Sequence, residues 1–353
     1  MQNIKSVLTT SIIIVSLIIP LIGICLLYDP NIKFEITNYI ISITIFTIYQ
    51  SFLSALISLI IGSIFAYYLK KNSEIGIIKL IVNLLSILFV MPTIIIVLGM
   101  LTFFNSFTNI YGPFGIVFCH VILNLPLATR IIYQSLNDIS GNEYILAEQM
   151  GLKKFETFLA TEWQIIKKNA PSLFALIFFI CFVSFTPVLI LGGSPKYSTI
   201  EVSIYQSVVF LNNYNTAFYL LILQLLICSI IFFLTFKNFK SENFFLDDRK
   251  IHIKNEIYFR NKLTDYSIII FISLTLFISP IAIFFRGINL KFFEVFSSNY
   301  FLSSLSDTFL ICFGSGILSL LFTLNILQIL DKSKKSYEYL LYIFLVLSPG
   351  IVS

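Results

Sequence analysis

Long apolar stretches, separated by short polar ones, run through almost the whole chain. Most of them reach about 20 residues, the length that crosses a bilayer as an α-helix. The first stretch is preceded by Lys5, and a basic residue before an apolar run is also found in secretory signal peptides. Because no small-x-small cleavage site ends this stretch, it is better interpreted as a signal anchor. The pattern predicts an all-α polytopic transmembrane helical bundle with nine spans: Val7–Leu27, Ile40–Leu69, Ile77–Phe104, Phe114–Tyr133, Ser172–Leu191, Ala217–Phe236, Tyr266–Phe285, Ser303–Leu330 and Tyr339–Ser353.

One polar segment, Asn142–Pro171, lies between two of these spans and has strong helix signals of its own. A helical pattern runs up to Met150, and Gly151 can then take the left-handed conformation that ends a helix. A second amphipathic helix is predicted to follow. The residues on or near one of its faces are Phe155, Phe158, Leu159 and Ile166. A helix-glycine-helix element has no catalytic chemistry and is typical of a docking site for a soluble partner protein.

The composition supports a membrane protein over a soluble one. The chain is 58% hydrophobic and 12% charged, with a mean hydropathy of +0.93, whereas soluble domains are close to half apolar and a quarter charged. The net charge of +5 therefore indicates loop lysines at a membrane surface and no nucleic-acid partner. All five cysteines lie in apolar runs and there are only two histidines, so neither a metal site nor a disulfide framework is predicted, and no cofactor-binding motif is present.

The basic residues predict the orientation in the membrane. If the N-terminus is cytoplasmic, all but four of the 23 lysines and arginines fall on the cytoplasmic side. The exceptions are Lys33, Lys196, Arg286 and Lys291. Such an asymmetry follows the positive-inside rule, and the opposite topology would reverse it. The polar segment, with Lys153, Lys154, Lys167 and Lys168, is then expected to face the cytoplasm.

The chain also repeats itself. Gln50–Leu53 opens the second span and Asp307–Leu310 opens the eighth, an offset of 257 positions that also superimposes Pro92 on Pro349. A register kept without a gap indicates an internal duplication. The predicted domains are a six-span half at 1–236, a cytoplasmic linker at 237–263 and a second half of about three spans at 264–353. The second half is therefore expected to be truncated, or completed by a separate chain.

The polar segment and its flanks resemble the permeases of binding-protein-dependent ABC importers. The EAA loop of that family has the pattern Glu-Ala-Ala, three residues, Gly, nine residues, then Ile-x-Leu-Pro. Within residues 139–171, Ala147 and Gly151 match this pattern. Ile145 and Leu146 replace the Glu and the first Ala, and Thr161, Trp163 and Gln164 stand in place of the final Ile, Leu and Pro. Further segments are similar to the thiamine importer permeases: Tyr111–Gly112, His120–Val121, Asn124–Arg130, Glu162–Trp163, Leu191–Lys196 and Thr199–Gln206.

The resemblance implies a permease, not an enzyme, in a bacterial inner membrane. A periplasmic binding protein would deliver thiamine or its phosphates, and a cytoplasmic ABC ATPase dimer would bind the EAA-like loop and supply the energy. The residues expected to form that contact are Ala147, Glu148, Gly151, Lys153, Phe155 and Phe158. Alternatives that the sequence leaves open are a ferric iron importer permease, an ion-coupled secondary transporter and a non-functional remnant.

Two further groups of residues are candidates for a role in transport. His120 and Asn124 lie one helical turn apart in the fourth span, where they could line a polar pathway or form an interhelical hydrogen bond. Gly192, Gly193 and Pro195 resemble a phosphate-binding turn at first sight. They lack the Gly-Lys-Ser/Thr ending of a P-loop and are predicted to form a turn at the periplasmic mouth.

Overall fold

The computed structural model describes residues 37–236, 262–288 and 292–330, together with positions 22, 23, 26 and 29. Within these residues the secondary structure consists of thirteen α-helices and no strand. The helices are α1 (Asn38–Lys71), α2 (Gly76–Val90), α3 (Thr93–Phe104), α4 (Pro113–Asn137), α5 (Gly141–Gln149), α6 (Lys154–Ala160), α7 (Glu162–Phe182), α8 (Thr186–Leu191), α9 (Ile200–Val209), α10 (Tyr214–Phe236), α11 (Lys262–Gly287), α12 (Phe292–Phe296) and α13 (Asn299–Leu330).

The described residues contain six helices that are long and apolar enough to cross a membrane. They are α1, α4, α6 taken together with α7, α10, α11 and α13. In the third of these the apolar stretch lies in α7, after Lys168. The predicted all-α polytopic bundle is therefore confirmed, and the chain is a multi-pass membrane protein. The first and last predicted spans, Val7–Leu27 and Tyr339–Ser353, lie outside the described residues except for three positions, as does most of the predicted linker.

The predicted span Ile77–Phe104 is not one helix, because α2 and α3 meet at an angle of 104°. Met91 and Pro92, between the two helices, both have extended backbone angles. Proline has no N–H to donate and sterically disfavours the helical conformation of the residue before it. Pro92 thus accounts for the break, which the hydropathy of this stretch does not reveal.

The described residues divide into two compact units. The larger unit contains the described parts of Ile36–Val202 and Ile230–Ile283. The smaller unit contains Ser203–Ser229 and the described parts of Met1–Glu35 and Phe284–Ser353. The division does not follow the predicted boundaries at residues 236 and 264. The tandem-half organisation stays a prediction.

Helices α1 and α4 run parallel through the larger unit. The Lys70 Nζ donates to Asn137 Oδ1 at 2.8 Å at one end, and Gly62 lies against Ala128 two turns earlier. Small residues at the contact let the two backbones approach closely, as in other membrane helix pairs. Helix α7 packs antiparallel to α1, with Phe52 and Phe174 in an edge-to-face contact at 5.3 Å between ring centroids.

Helix α11, which follows the predicted linker, packs into the same core. Its residues Ile269, Ile272 and Leu276 are buried in the apolar cluster that α1, α2, α3 and α4 also form. Near one end of α11, the Lys71 Nζ lies 2.9 Å from Asp265 Oδ2 and 3.0 Å from Oδ1. Asp265 is in the first turn of α11 and Lys71 in the last turn of α1, so each charge also complements its helix dipole.

We expect Lys71→Ala to destabilise the protein by about 3–5 kcal/mol, because removal of one partner leaves a buried charge without compensation. The Asp265 side chain is only 2% exposed. Thermal unfolding of the purified protein in detergent measures the effect, with the exposed Lys79→Ala as the matched control. Equal melting temperatures for the two variants would show that the ion pair does not hold α11 in place.

Candidate coupling elbow

The segment Gly141–Ala160, which we call the elbow, contains α5, a tight turn and α6. Helix α5 ends where Gly151 takes a φ of +70°. In this conformation the Gly151 N–H donates to the Glu148 carbonyl at 2.9 Å, and the Leu152 N–H donates to the Ala147 carbonyl at 3.1 Å. Both bonds satisfy carbonyls that the helix end leaves without partners. The turn is therefore formed as the sequence predicts.

The second helix of the elbow is shorter than predicted. It begins after Lys153, whose backbone N–H donates to Glu156 Oε2 at 2.7 Å, one half of a capping box. It ends at Ala160, because Thr161 has φ −109° and ψ −82° and separates α6 from α7. The predicted amphipathic helix is thus two helices, with Phe155 and Phe158 on the first and Ile166 on the second.

The elbow has one side against the spans and one side exposed. Tyr144, Ala147 and Thr157 are buried. The exposed side carries large apolar residues: the exposed fraction is 57% for Leu146, 74% for Met150 and 70% for Phe155. Leu146 and Met150 lie one turn apart at the end of α5 and so share a face of that helix, and large apolar side chains exposed on a polar segment are typical of a protein-protein contact.

The six predicted contact residues divide between the two sides. Glu148, Gly151, Lys153 and Phe155 lie on the exposed side. Ala147 is buried, because it lies on the α5 face that packs inward. Phe158 is half-buried, with its ring centroid 5.2 Å from that of Tyr67 in α1.

The elbow lies at the same end of the larger unit as the last turn of α1 and the last turn of α4. Phe158 contacts Tyr67, four residues before Lys71, and Tyr144 packs in one cluster with Leu136. This end also holds the ion pair between Lys71 and Asp265. The elbow, the basic end of α1 and the start of α11 therefore lie at one end of the larger unit.

A buried carboxylate joins the elbow to α7. Glu162, in the first turn of α7, is 2% exposed. Its Oε1 accepts a hydrogen bond from the Tyr144 hydroxyl at 3.0 Å, and the Thr161 hydroxyl is hydrogen-bonded to its Oε2. Tyr144 could not be recognised from the sequence, because a tyrosine within a polar segment gives no signal of a buried partner 18 residues away.

The two pathway candidates lie in the packing between α1, α4 and α7. His120 and Asn124 are 1% and 2% exposed. The Asn124 Nδ2 donates to the His120 carbonyl at 2.8 Å and to Cys181 Sγ at 3.3 Å. The Gln50 Nε2 donates to the Cys181 carbonyl at 3.0 Å. For Asn124 this geometry corresponds to the interhelical alternative, whereas both ring nitrogens of His120 are buried without a hydrogen-bond partner among the described residues. A role of the two residues in the pathway stays a prediction.

The predicted mouth motif follows α8 at the end of the larger unit opposite the elbow. The Gly112 N–H, just before α4, donates to the Leu191 carbonyl at 2.7 Å. A Cβ at Gly192 would lie 2.3 Å from the Tyr197 carbonyl oxygen, so only glycine fits this close approach. Gly193 is exposed with φ +59°, and the Ser194–Pro195 peptide bond is cis. The motif is a tight turn, as predicted.

Together these features define a class of protein: a polytopic helical membrane protein with a structured elbow between two spans, whose outer side exposes both apolar and charged side chains. No protein-family model matches the chain. Its sequence is nonetheless similar to the thiamine transport system permease protein ThiP of several bacteria.

The chain is 32% identical to ThiP of Haemophilus influenzae over 213 residues, which are 56% of this chain and 39% of the relative. It is 28% identical to ThiP of Escherichia coli over 315 residues, 82% of this chain and 57% of the relative. The Salmonella typhimurium protein is 27% identical over the same share of each chain. These matches confirm the predicted resemblance to thiamine importer permeases. The chain spans 39% to 57% of the length of these relatives.

Proposed function

We propose that this chain is a membrane-spanning permease subunit of an ATP-driven ABC importer that moves thiamine, or thiamine phosphates, into the cytoplasm. The observation that carries the proposal is the elbow, which has an anchored inner side and an exposed apolar outer side. The similarity to proteins named as thiamine transport permeases supports both the class and the substrate.

The elbow would couple the permease to a pair of cytoplasmic ATPase subunits. ATP hydrolysis takes place in these partners, and the permease itself is not an enzyme. A periplasmic binding protein would deliver the substrate at the other side, near the turn at Gly192 and Gly193. Closure of the ATPase pair would move the two elbows of a complete importer, and this movement would switch the spans between inward-open and outward-open arrangements.

The proposed location is the bacterial inner membrane, with the elbow and the N-terminus in the cytoplasm. Support comes from the basic residues at the elbow end of the larger unit. They are Lys70, Lys71, Lys153, Lys154, Lys167 and Lys168. Short loops rich in lysine stay on the cytoplasmic side during insertion. The mouth turn at the opposite end then faces the periplasm.

Uptake of labelled thiamine in a bacterial strain without its own importer tests the proposal. We expect the protein, expressed from its own gene with its ATPase and binding protein, to restore uptake that requires ATP. The same cells supplied with labelled ferric iron provide the specificity control. Uptake of iron without uptake of thiamine would show that ferric iron is the substrate instead. Uptake of neither compound, with all partners present, would contradict the proposal.

A further inference from the structure

The Glu162 carboxylate is buried at the junction between the elbow and a membrane span. A buried charge is costly unless hydrogen bonds and nearby dipoles compensate for it. Here the Tyr144 hydroxyl donates to one oxygen at 3.0 Å, and the N-terminus of α7 favours the negative charge. The Thr161 hydroxyl shares its one proton between the other oxygen and the Thr157 carbonyl at 2.8 Å. The carboxylate is thus held in one place by groups from both sides of the junction.

Tyr144 is in addition the main anchor of α5. Its ring is 3% exposed and packs in an apolar cluster with Ala66 of α1, Leu136 of α4 and Ile166 of α7. Ala147 is the other buried residue of α5, and its side chain contributes only a methyl group to the packing. An aromatic ring with a polar tip can fill an apolar site and fix a hydrogen bond at the same time.

The span that Glu162 opens leads directly to the interhelical polar contacts. Helix α7 continues from Glu162 to Cys181, a rise of about 28 Å at the usual spacing per residue. Gln50 of α1 and Asn124 of α4 both donate to Cys181. A shift of α7 along its axis would therefore change hydrogen bonds deep in the bundle.

We propose that the hydrogen bond between Tyr144 and Glu162 is the positioning link that transmits elbow movement to α7. This inference rests on the proposed function, since it assumes that the ATPase moves the elbow and that this movement passes through one contact. With the link intact, α5 and α7 move as one body. Without it, α5 can move while α7 stays, so that ATP is hydrolysed and fewer substrate molecules cross the membrane.

The first test measures the link in the purified protein and needs no transport activity. Tyr144→Phe keeps the ring in its cluster and removes only the hydroxyl. We expect the amide protons of α5 to exchange with deuterium about tenfold faster, whereas those of α1 and α4 are unchanged. Tyr111→Phe, at the opposite end of the larger unit, is the matched control. Unchanged exchange in α5 would overturn the link.

The second test measures coupling in proteoliposomes with the ATPase and the binding protein. We expect Tyr144→Phe and Glu162→Leu to bind the ATPase normally and to lower the number of thiamine molecules transported per ATP by about tenfold, with no further loss in the double variant. Glu162→Gln keeps an acceptor oxygen and should retain most of the coupling.

Each outcome of the second test has a separate meaning. A wild-type coupling ratio in Tyr144→Phe would overturn the positioning role while the proposed function stands. Loss of ATPase binding in Tyr144→Phe would also overturn it, because the link would then be part of the docking surface. Failure of the unmodified protein to transport thiamine would contradict the proposed function, and the exchange experiment would still decide whether the link exists.

Discussion

Gly99→Ala is expected to lower the yield and thermal stability of the protein sharply, although it adds a single methyl group. The added Cβ would lie 2.1 Å from the Ser279 carbonyl oxygen and 2.5 Å from its carbonyl carbon. These are backbone atoms of α11, which cannot rotate away as a side chain can. Overpacking costs about 1–3 kcal/mol where side chains yield, and we expect the upper end or more here.

The clash would act on the contact that holds α11 in the larger unit. To relieve it, α3 and α11 must separate, which would disturb the packing of Ile272 and Leu276 in the apolar cluster. Gly76→Ala is the matched control, since a Cβ at Gly76 meets nothing within 4 Å. Size-exclusion profiles and melting temperatures in detergent provide the comparison. If Gly99→Ala and Gly76→Ala behaved alike, α11 would not dock on α3 at this position.

The parts of the fold that the sequence predicts are those governed by local physics. Hydropathy locates the spans because about 20 apolar residues suffice to cross a bilayer, and Gly151 ends α5 because it tolerates a positive φ. The break at Pro92 was also readable from local rules, but hydropathy averaged over it. The break at Thr161 has no such signal, since threonine is compatible with a helix.

The contacts that join distant segments could not be predicted from the sequence. Lys71 and Asp265 are 194 residues apart, and each is an ordinary charge at the end of a span when considered alone. The pairing and burial of Tyr144 and Glu162 are likewise visible only in the structure. Burial also divides the candidate site, because Ala147 matches the family pattern and yet lies on the inner side of the elbow.

The predicted internal repeat pairs residues of α1 with residues of α13. With the offset of 257, Ser51, Ser58 and Gly62 of α1 correspond to Thr308, Ser315 and Ser319 of α13, which are likewise small and polar. The α1 residues pack inside the larger unit, whereas none of the membrane-crossing window of α13 is buried among the described residues.

Phe155→Asp is expected to abolish binding of the ATPase subunit, and with it thiamine uptake, while the protein folds normally. Phe155 is 70% exposed, so the substitution breaks little of the internal packing. In a docked complex the same position would place a carboxylate in an apolar contact, and the loss of an aromatic anchor at an interface costs about 2 kcal/mol or more. Co-purification of the ATPase with the detergent-solubilised protein measures the effect directly.

Phe107→Asp is the matched control, because Phe107 is 73% exposed and lies between α3 and α4, at the opposite end of the larger unit. The control should bind the ATPase as the unmodified protein does. Tyr144→Phe should also bind it, which separates docking on the outer side of the elbow from transmission on its inner side. Normal ATPase binding by Phe155→Asp would move the docking surface away from α6, and the exposed apolar side of the elbow would then require a different partner.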